Sequence, residues 1–335
     1  MEGSARSAPG RRQVLKGAGV LGGLAVLGGT GGLVWRARQD TAGSASASAN
    51  GEFDDLVEAT TSGGPGKDGI PSIDDPRFVT VDEVDYLDDD DVVFGLRYGG
   101  EVRAYPQPVL VWHEIVNDRV GGDRLVVTYC PLTGTTIGFT GTGDRDDMTF
   151  GTTGKLVNSN LLMYDRETDS EWPQVLGTAI TGPLMGEVLR TVPLVWTTWR
   201  AWREAHPDSA VLSLDTGAAR DYTRDPYGSY PNRSGYYVDE GTLFPVLHTD
   251  DRFGDKEVVL GVRAGGEQLA IPKELVRQDR SVEADVGGVA IRAEWDEGLA
   301  TARVWELGNG LETADFMDAM WFAWFAFYPD TEVMR

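Results

Sequence analysis

Val92-Val-Phe-Gly-Leu-Arg-Tyr-Gly-Gly-Glu101 recurs 166 residues later as Val258-Val-Leu-Gly-Val-Arg-Ala-Gly-Gly-Glu267. The same ungapped offset matches Ala104 with Ala270, Pro106 with Pro272 and Val120-Gly-Gly with Val286-Gly-Gly. From 92 to 130 it gives 13 identities in 39 positions, which marks an internal repeat. In each copy a β-branched run, a Gly-Gly pair and a second run form the signature of a hairpin.

Working outward, Leu125–Tyr129, Thr135–Phe139, Met148–Phe150 and Leu161–Tyr164 read as further strands. Val195–His206 reads as a helix carrying Trp196, Trp199 and Trp202 on one core-facing stripe, with Pro207 ending it. The aromatic block Trp321–Tyr328 is too short to span a bilayer and reads as an element completing the core. The expected fold is mixed α+β and β-dominated, two repeated β-rich units packed into one body. Their bounds are about 86–166 and 250–308, with a helical link at about 190–207. Residues 68–332 form the folded region and 50–67, rich in Gly and Pro, a flexible linker.

Residues 1–49 read as an address. Arg11 and Arg12 head Gly10-Arg-Arg-Gln-Val-Leu-Lys16, and the apolar stretch Gly17–Trp35 has eight glycines in 19 residues. Small residues up to Ala49 supply A-x-A patterns, so the segment reads as a twin-arginine export signal. The export machinery is thus the expected partner and the outside of the cell or its surface the expected location. Residues 17–35 are also just long enough to stay in the membrane as an anchor.

The chain has 30 basic and 53 acidic residues, a net charge of -23. That excludes a general nucleic-acid binder, which needs a basic face, and predicts repulsion from anionic lipid. With few lysines and runs such as Asp88–Asp91, it gives the hydrated acidic surface of halophilic proteins. One cysteine excludes a disulfide within the chain.

The copies differ where chemistry is possible. His113, Glu114 and Cys130 of the first stand opposite Asp279, Arg280 and Asp296 of the second. His113-Glu-Ile-Val-Asn117 lacks the second histidine of a zincin, and Asp215-Thr-Gly217 has no partner loop for aspartic-protease chemistry. The Gly-rich pieces lack a Gly-Lys-Ser/Thr ending, so no nucleotide is expected.

Several long motifs carry a resemblance: Asp68-Gly-Ile-Pro-Ser-Ile-Asp-Asp-Pro-Arg77, Trp112-His-Glu-Ile-Val-Asn-Asp118, Tyr129-Cys-Pro-Leu-Thr-Gly134 and Asn158-Ser-Asn-Leu-Leu-Met-Tyr-Asp-Arg166. With Asp221–Tyr227, His248, Arg252–Glu257 and Trp321–Asp330, they resemble domain-of-unknown-function family 3179 (DUF 3179) over roughly residues 68–332. The resemblance implies an exported prokaryotic protein and brings no activity with it. Its pattern often has a second cysteine, C-P-L-C-G, where Thr133 stands here, so a Cys-x-x-Cys redox pair is ruled out.

Three functional readings follow. Cys130, His113, Met163 and His248 offer the sulfur and imidazole ligands that suit copper, or zinc, for binding or redox chemistry. Alternatively, His113 and Cys130 are core residues of a non-catalytic cell-surface binding module. In the third, Cys130 is a nucleophile with His113 as base and Glu114, Asn117 or Asp118 orienting it. Asn158, Asp165 and Trp172 complete the candidate site residues.

Overall fold

The computed structural model describes residues 53–308 and 311–335. The export signal and possible anchor therefore lie outside the described residues. Strands dominate, as the alternating runs and Gly-Gly turns predict. Val92–Tyr98 and Glu101–Pro106 pair as a hairpin whose turn glycines, Gly99 and Gly100, have φ of 57° and 82°. Helix Gln107–His113 follows, then strands Ile115–Val120, Asp123–Cys130 and Thr135–Thr140 of a second sheet. From Val258 the chain passes through the same succession: Val258–Ala264, Glu267–Pro272, helix Lys273–Asp279, Ser281–Val286, Val289–Asp296 and Thr301–Leu307.

The correspondence continues beyond the aligned residues. Val195–Thr198 pairs antiparallel with Val92–Tyr98 and leads into helix Trp199–Ala205. Ala210–Leu212 then runs parallel to Glu101–Pro106. Asp315–Met320, helix Trp321–Phe327 and Glu332–Val333 repeat this order against Val258–Ala264 and Glu267–Pro272. Here Trp199 corresponds to Trp321 and Trp202 to Trp324, an offset of 122 where the hairpins had 166. The first stretch therefore carries 44 more residues (166 less 122) before its helix. They build an extra sheet from Phe150–Val157, Asn160–Asp165 and Glu171–Pro173.

That extra sheet sets the burial. All but one residue of Ile115–Val120 is buried, whereas the equivalent Ser281–Val286 mostly alternates between exposed and half-buried. The first stretch has both faces of its second sheet covered, and the second leaves one face to solvent.

Two expectations need correction. Val195–His206 is not one helix, because the β-branched run Val195-Trp-Thr-Thr198 extends as a strand and the Thr198 hydroxyl caps the helix at Ala201 N. Trp196 consequently packs edge-on against Phe94 and Tyr230, away from the stripe shared by Trp199 and Trp202. Nor is 53–67 a flexible linker. Asp54–Glu58 is a helix, Thr61–Ser62 pairs with Lys155 and Leu156, and Phe53 and Leu56 dock against Val157, Leu162 and Ile180. A few apolar anchors outweigh the Gly-Pro composition.

In both stretches an indole lies flat on a glycine of the central strand. A Cβ on Gly95 would sit 1.9 Å from Trp202 Cζ3, and one on Gly261 would sit 2.2 Å from Trp324 Cε3. Each indole N–H donates to the hydroxyl seven residues on, Ser209 or Thr331, at 3.0 Å. We expect Gly95→Ala to destabilise the protein by about 3 kcal/mol, the upper end of overpacking costs. In urea unfolding, Gly95→Ala with Trp202→Leu should cost at least about 1 kcal/mol less than the sum of the two single changes. Strict additivity would show that the ring and the glycine do not constrain each other.

Candidate functional site

The helix Gln107–His113 ends at Glu114, whose φ of 59° is rare for a residue with a side chain. Its N–H donates to Leu110 O at 2.7 Å, and its carbonyl accepts from Tyr129 N at 2.8 Å. Arg280 occupies the same turn with φ 69°, and its carbonyl accepts from Trp295 N. The backbone conformation therefore belongs to the shared turn. Only the side chains differ: Arg280 is exposed and pairs with Glu297, whereas Glu114 is buried.

Because the turn fastens Glu114 to Tyr129, its carboxyl lies close to Cys130 at the strand end. The carboxyl faces a cavity of about 100 Å³. Leu132, Leu156, Leu161 and Phe244 make the walls apolar, and Pro65 and Ile70 of the N-terminal segment contribute another side. Tyr227 and Lys155 also reach it, but the Lys155 ammonium is held by Glu171 Oε1 at 2.7 Å. Among the described residues, no hydrogen-bond donor meets the Glu114 carboxyl. Burial alone pushes it up to about 8, since an anion there loses its hydration and gains nothing in return.

Cys130 is 1% exposed. Burial pushes its thiol up to about 11, and the Glu114 charge adds to the effect. Burial also raises the Tyr227 and Tyr236 phenols, with Cys130 contributing to both and Glu114 to Tyr227. Tyr236 donates to Leu132 O at 2.7 Å. Burial thus favours the neutral forms of Glu114 and Tyr227 in the lining and of Cys130 and Tyr236 near them.

The other sequence-selected residues are distributed differently. His113 is buried with Nδ1 at 2.7 Å from Pro71 O and Nε2 at 2.7 Å from the Tyr222 hydroxyl, so both ring nitrogens are engaged. Burial lowers its pKa. Met163 lies in the same core cluster as Cys130, and His248 is exposed. Of the set Cys130, His113, Met163 and His248, Cys130 and Met163 share a core cluster, while the His113 ring is committed elsewhere and His248 faces solvent. Among the described residues, no group of three or more His, Cys, Asp or Glu side chains is placed to hold a metal ion.

The remaining polar residues hold elements together. Asn117 bonds Phe150 through both its amide atoms, and Asp74 too, joining the second sheet to the extra one. Asp118 accepts from Tyr105 and pairs with Arg103. Asn158 donates to Ala326 O and accepts from Leu247 N. Asp165 closes a turn at Thr168 and accepts from Trp172 Nε1 at 3.1 Å. Thr133, where the family pattern often has cysteine, belongs to a buried network with Thr135, Asn160 and Gln174. Sequence reading missed Tyr227 and Phe244 because they enter the chamber from a loop about a hundred residues away. The aromatic spacing within Asp221–Tyr237 was the available signal.

A family model described as a protein of unknown function (DUF3179) matches residues 67–309, in agreement with the motif resemblance. No curated protein and no solved structure matches the chain.

Glu114 has a folded-state pKa above its ordinary 4.5, so the folded protein holds that proton more tightly than the unfolded chain does. Its contribution to stability is fully present below about pH 4.5 and is lost as the pH rises through about 8. Relative to Glu114→Gln, the wild type should lose up to about 5 kcal/mol across that window in urea unfolding. A difference independent of pH would mean that the carboxyl is solvated or paired. Native Cys130 should react with a thiol reagent at pH 8 at least about 100-fold more slowly than the urea-unfolded chain. Comparable rates would show an accessible thiolate.

Proposed function

The chain belongs to the DUF3179 family, and we propose that it is an exported, non-catalytic binding protein whose Glu114 chamber takes a small organic cation. The observation that carries this reading is the Glu114 carboxyl, buried in an apolar cavity with no donor among the described residues. An ammonium on a short alkyl chain would restore the interactions the carboxylate lost with water, while its carbons occupy the apolar walls. The net charge of -23 draws cations towards the molecule and repels anions. The raised thiol and doubly engaged His113 favour binding over nucleophilic catalysis. A copper-type centre has no converging ligand set to rest on among the described residues.

Export by the twin-arginine route, with residues 17–35 as signal or anchor, is part of the proposal and rests on residues 10–49 alone. No helix among the described residues is long and apolar enough to cross a membrane. The ligand would then be met outside the cytoplasm, at the cell surface or beyond.

Calorimetry with n-butylammonium as the probe tests the chamber. We expect saturable one-to-one binding at pH 9, weakening about tenfold per pH unit below about 8 as the carboxyl takes up its proton. Glu114→Gln should abolish it, and 1-butanol should not reproduce it. Equal binding of the alcohol, or binding that survives in Glu114→Gln, would overturn the proposal.

A further inference from the structure

A second cavity, of about 190 Å³, lies where the two repeated stretches meet and has the opposite charge character. Trp196 lines it from the first stretch and Asp318 from the second. These are equivalent positions: Trp196 pairs with Phe94 and Asp318 with Leu260, and Phe94 and Leu260 are related by the offset of 166. The repeat thus places an aromatic ring and a carboxyl opposite each other. Asp318 is buried and paired with Lys273, which leaves that pair close to neutral.

Two further cations face the cavity, Arg233 and Lys256. The whole chain has five lysines (Lys16, Lys67, Lys155, Lys256 and Lys273), and two of them are here. The Lys256 ammonium is fixed by the carbonyls of Tyr236 and Asp239 and stands 3.5 Å from the centre of the Tyr236 ring. That leaves one of its three donors uncommitted. Burial lowers the Lys256 pKa, and the nearby Asp239 and Asp255 carboxylates partly offset that. Arg233 makes no ion pair with any described residue and has φ 46° in the turn Tyr230–Arg233. Beside these cations, Tyr230 stacks on Tyr237 with ring centres 3.9 Å apart and meets Trp196 edge-on at 5.3 Å.

In a chain of net charge -23, two cations that form no ion pair with a described residue, at an aromatic-walled cavity, call for an anion. We propose that this junction cavity is a second binding site, for a carboxylate carried on a flat ring. Arg233 and Lys256 hold the carboxylate, the Arg233 fork matching its two oxygens. Tyr230 and Trp196 cover the ring. The site is separate from the Glu114 chamber and does not depend on what that chamber binds.

The test is a titration of the full chain with benzoate, followed by tryptophan fluorescence and by calorimetry. Benzyl alcohol and cyclohexanecarboxylate serve as comparison ligands, and Arg200→Gln serves as a distant charge control. Arg200 pairs with Asp89 and Asp90 on the surface. We expect saturable benzoate binding, at least about tenfold tighter than either comparison ligand. Binding should fall at least about tenfold in Arg233→Gln and in Lys256→Gln and stay unchanged in Arg200→Gln. If benzoate binds no better than benzyl alcohol, no oxyanion is recognised. If cyclohexanecarboxylate equals benzoate, the ring is not. If Arg200→Gln weakens binding as much as Arg233→Gln, the attraction is diffuse. Each of these results overturns the proposal.

Discussion

The contact on which the rest of the structure depends is the indole of Trp202 lying on Gly95, matched by Trp324 on Gly261. A strand position without a side chain lets the helix approach the sheet more closely than any other residue would allow. The indole N–H then ties the strand that follows the helix, through Ser209 or Thr331, to the same unit. One helix is thereby fixed between two strands of each sheet, and the turn that carries Glu114 or Arg280 hangs from that frame.

Onto this repeated frame the first stretch adds an extra sheet, and that addition separates the chemistry of the two. Asn117 and Asn158 spend their hydrogen-bonding capacity fastening the extra sheet to the second sheet and to the C-terminal helix. Once the sheet is in place, the face that the second stretch leaves to solvent is sealed in the first. A glutamate at the shared turn is then buried beside a small cavity, with no protein donor among the described residues. Its twin, Arg280, stays on the surface, paired with Glu297 and open to solvent.

The two cavities differ in how they treat charge. Burial favours the neutral forms of the acid and phenol that line the Glu114 chamber, so a charged ligand there must bring compensation with it. The junction cavity sets its Lys256 ammonium against carbonyls and an aromatic face, with Arg233 exposed beside it. An acidic surface makes both arrangements conspicuous, since it supports a cation in the first and opposes an anion in the second.

Much of the frame could be read from the residues. The ungapped repeat placed both hairpins, and the contrast of His113, Glu114 and Cys130 with Asp279, Arg280 and Asp296 drew the search for chemistry to the first stretch. Chain proximity of His113 and Cys130 does not say which way a ring turns; both nitrogens of His113 are engaged by Pro71 and Tyr222. The aromatic spacing of Trp196, Trp199 and Trp202 suggested one helix, whereas pairing with Val92–Tyr98 makes the first of them a strand residue. The sequence by itself determined the β-rich pattern, the acidic composition and the family, since these rest on local preference, composition and motif. Only the tertiary structure decided which polar groups lack a partner and which cations face a cavity. Burial and pairing arise from segments a hundred or more residues apart, and no local pattern records them.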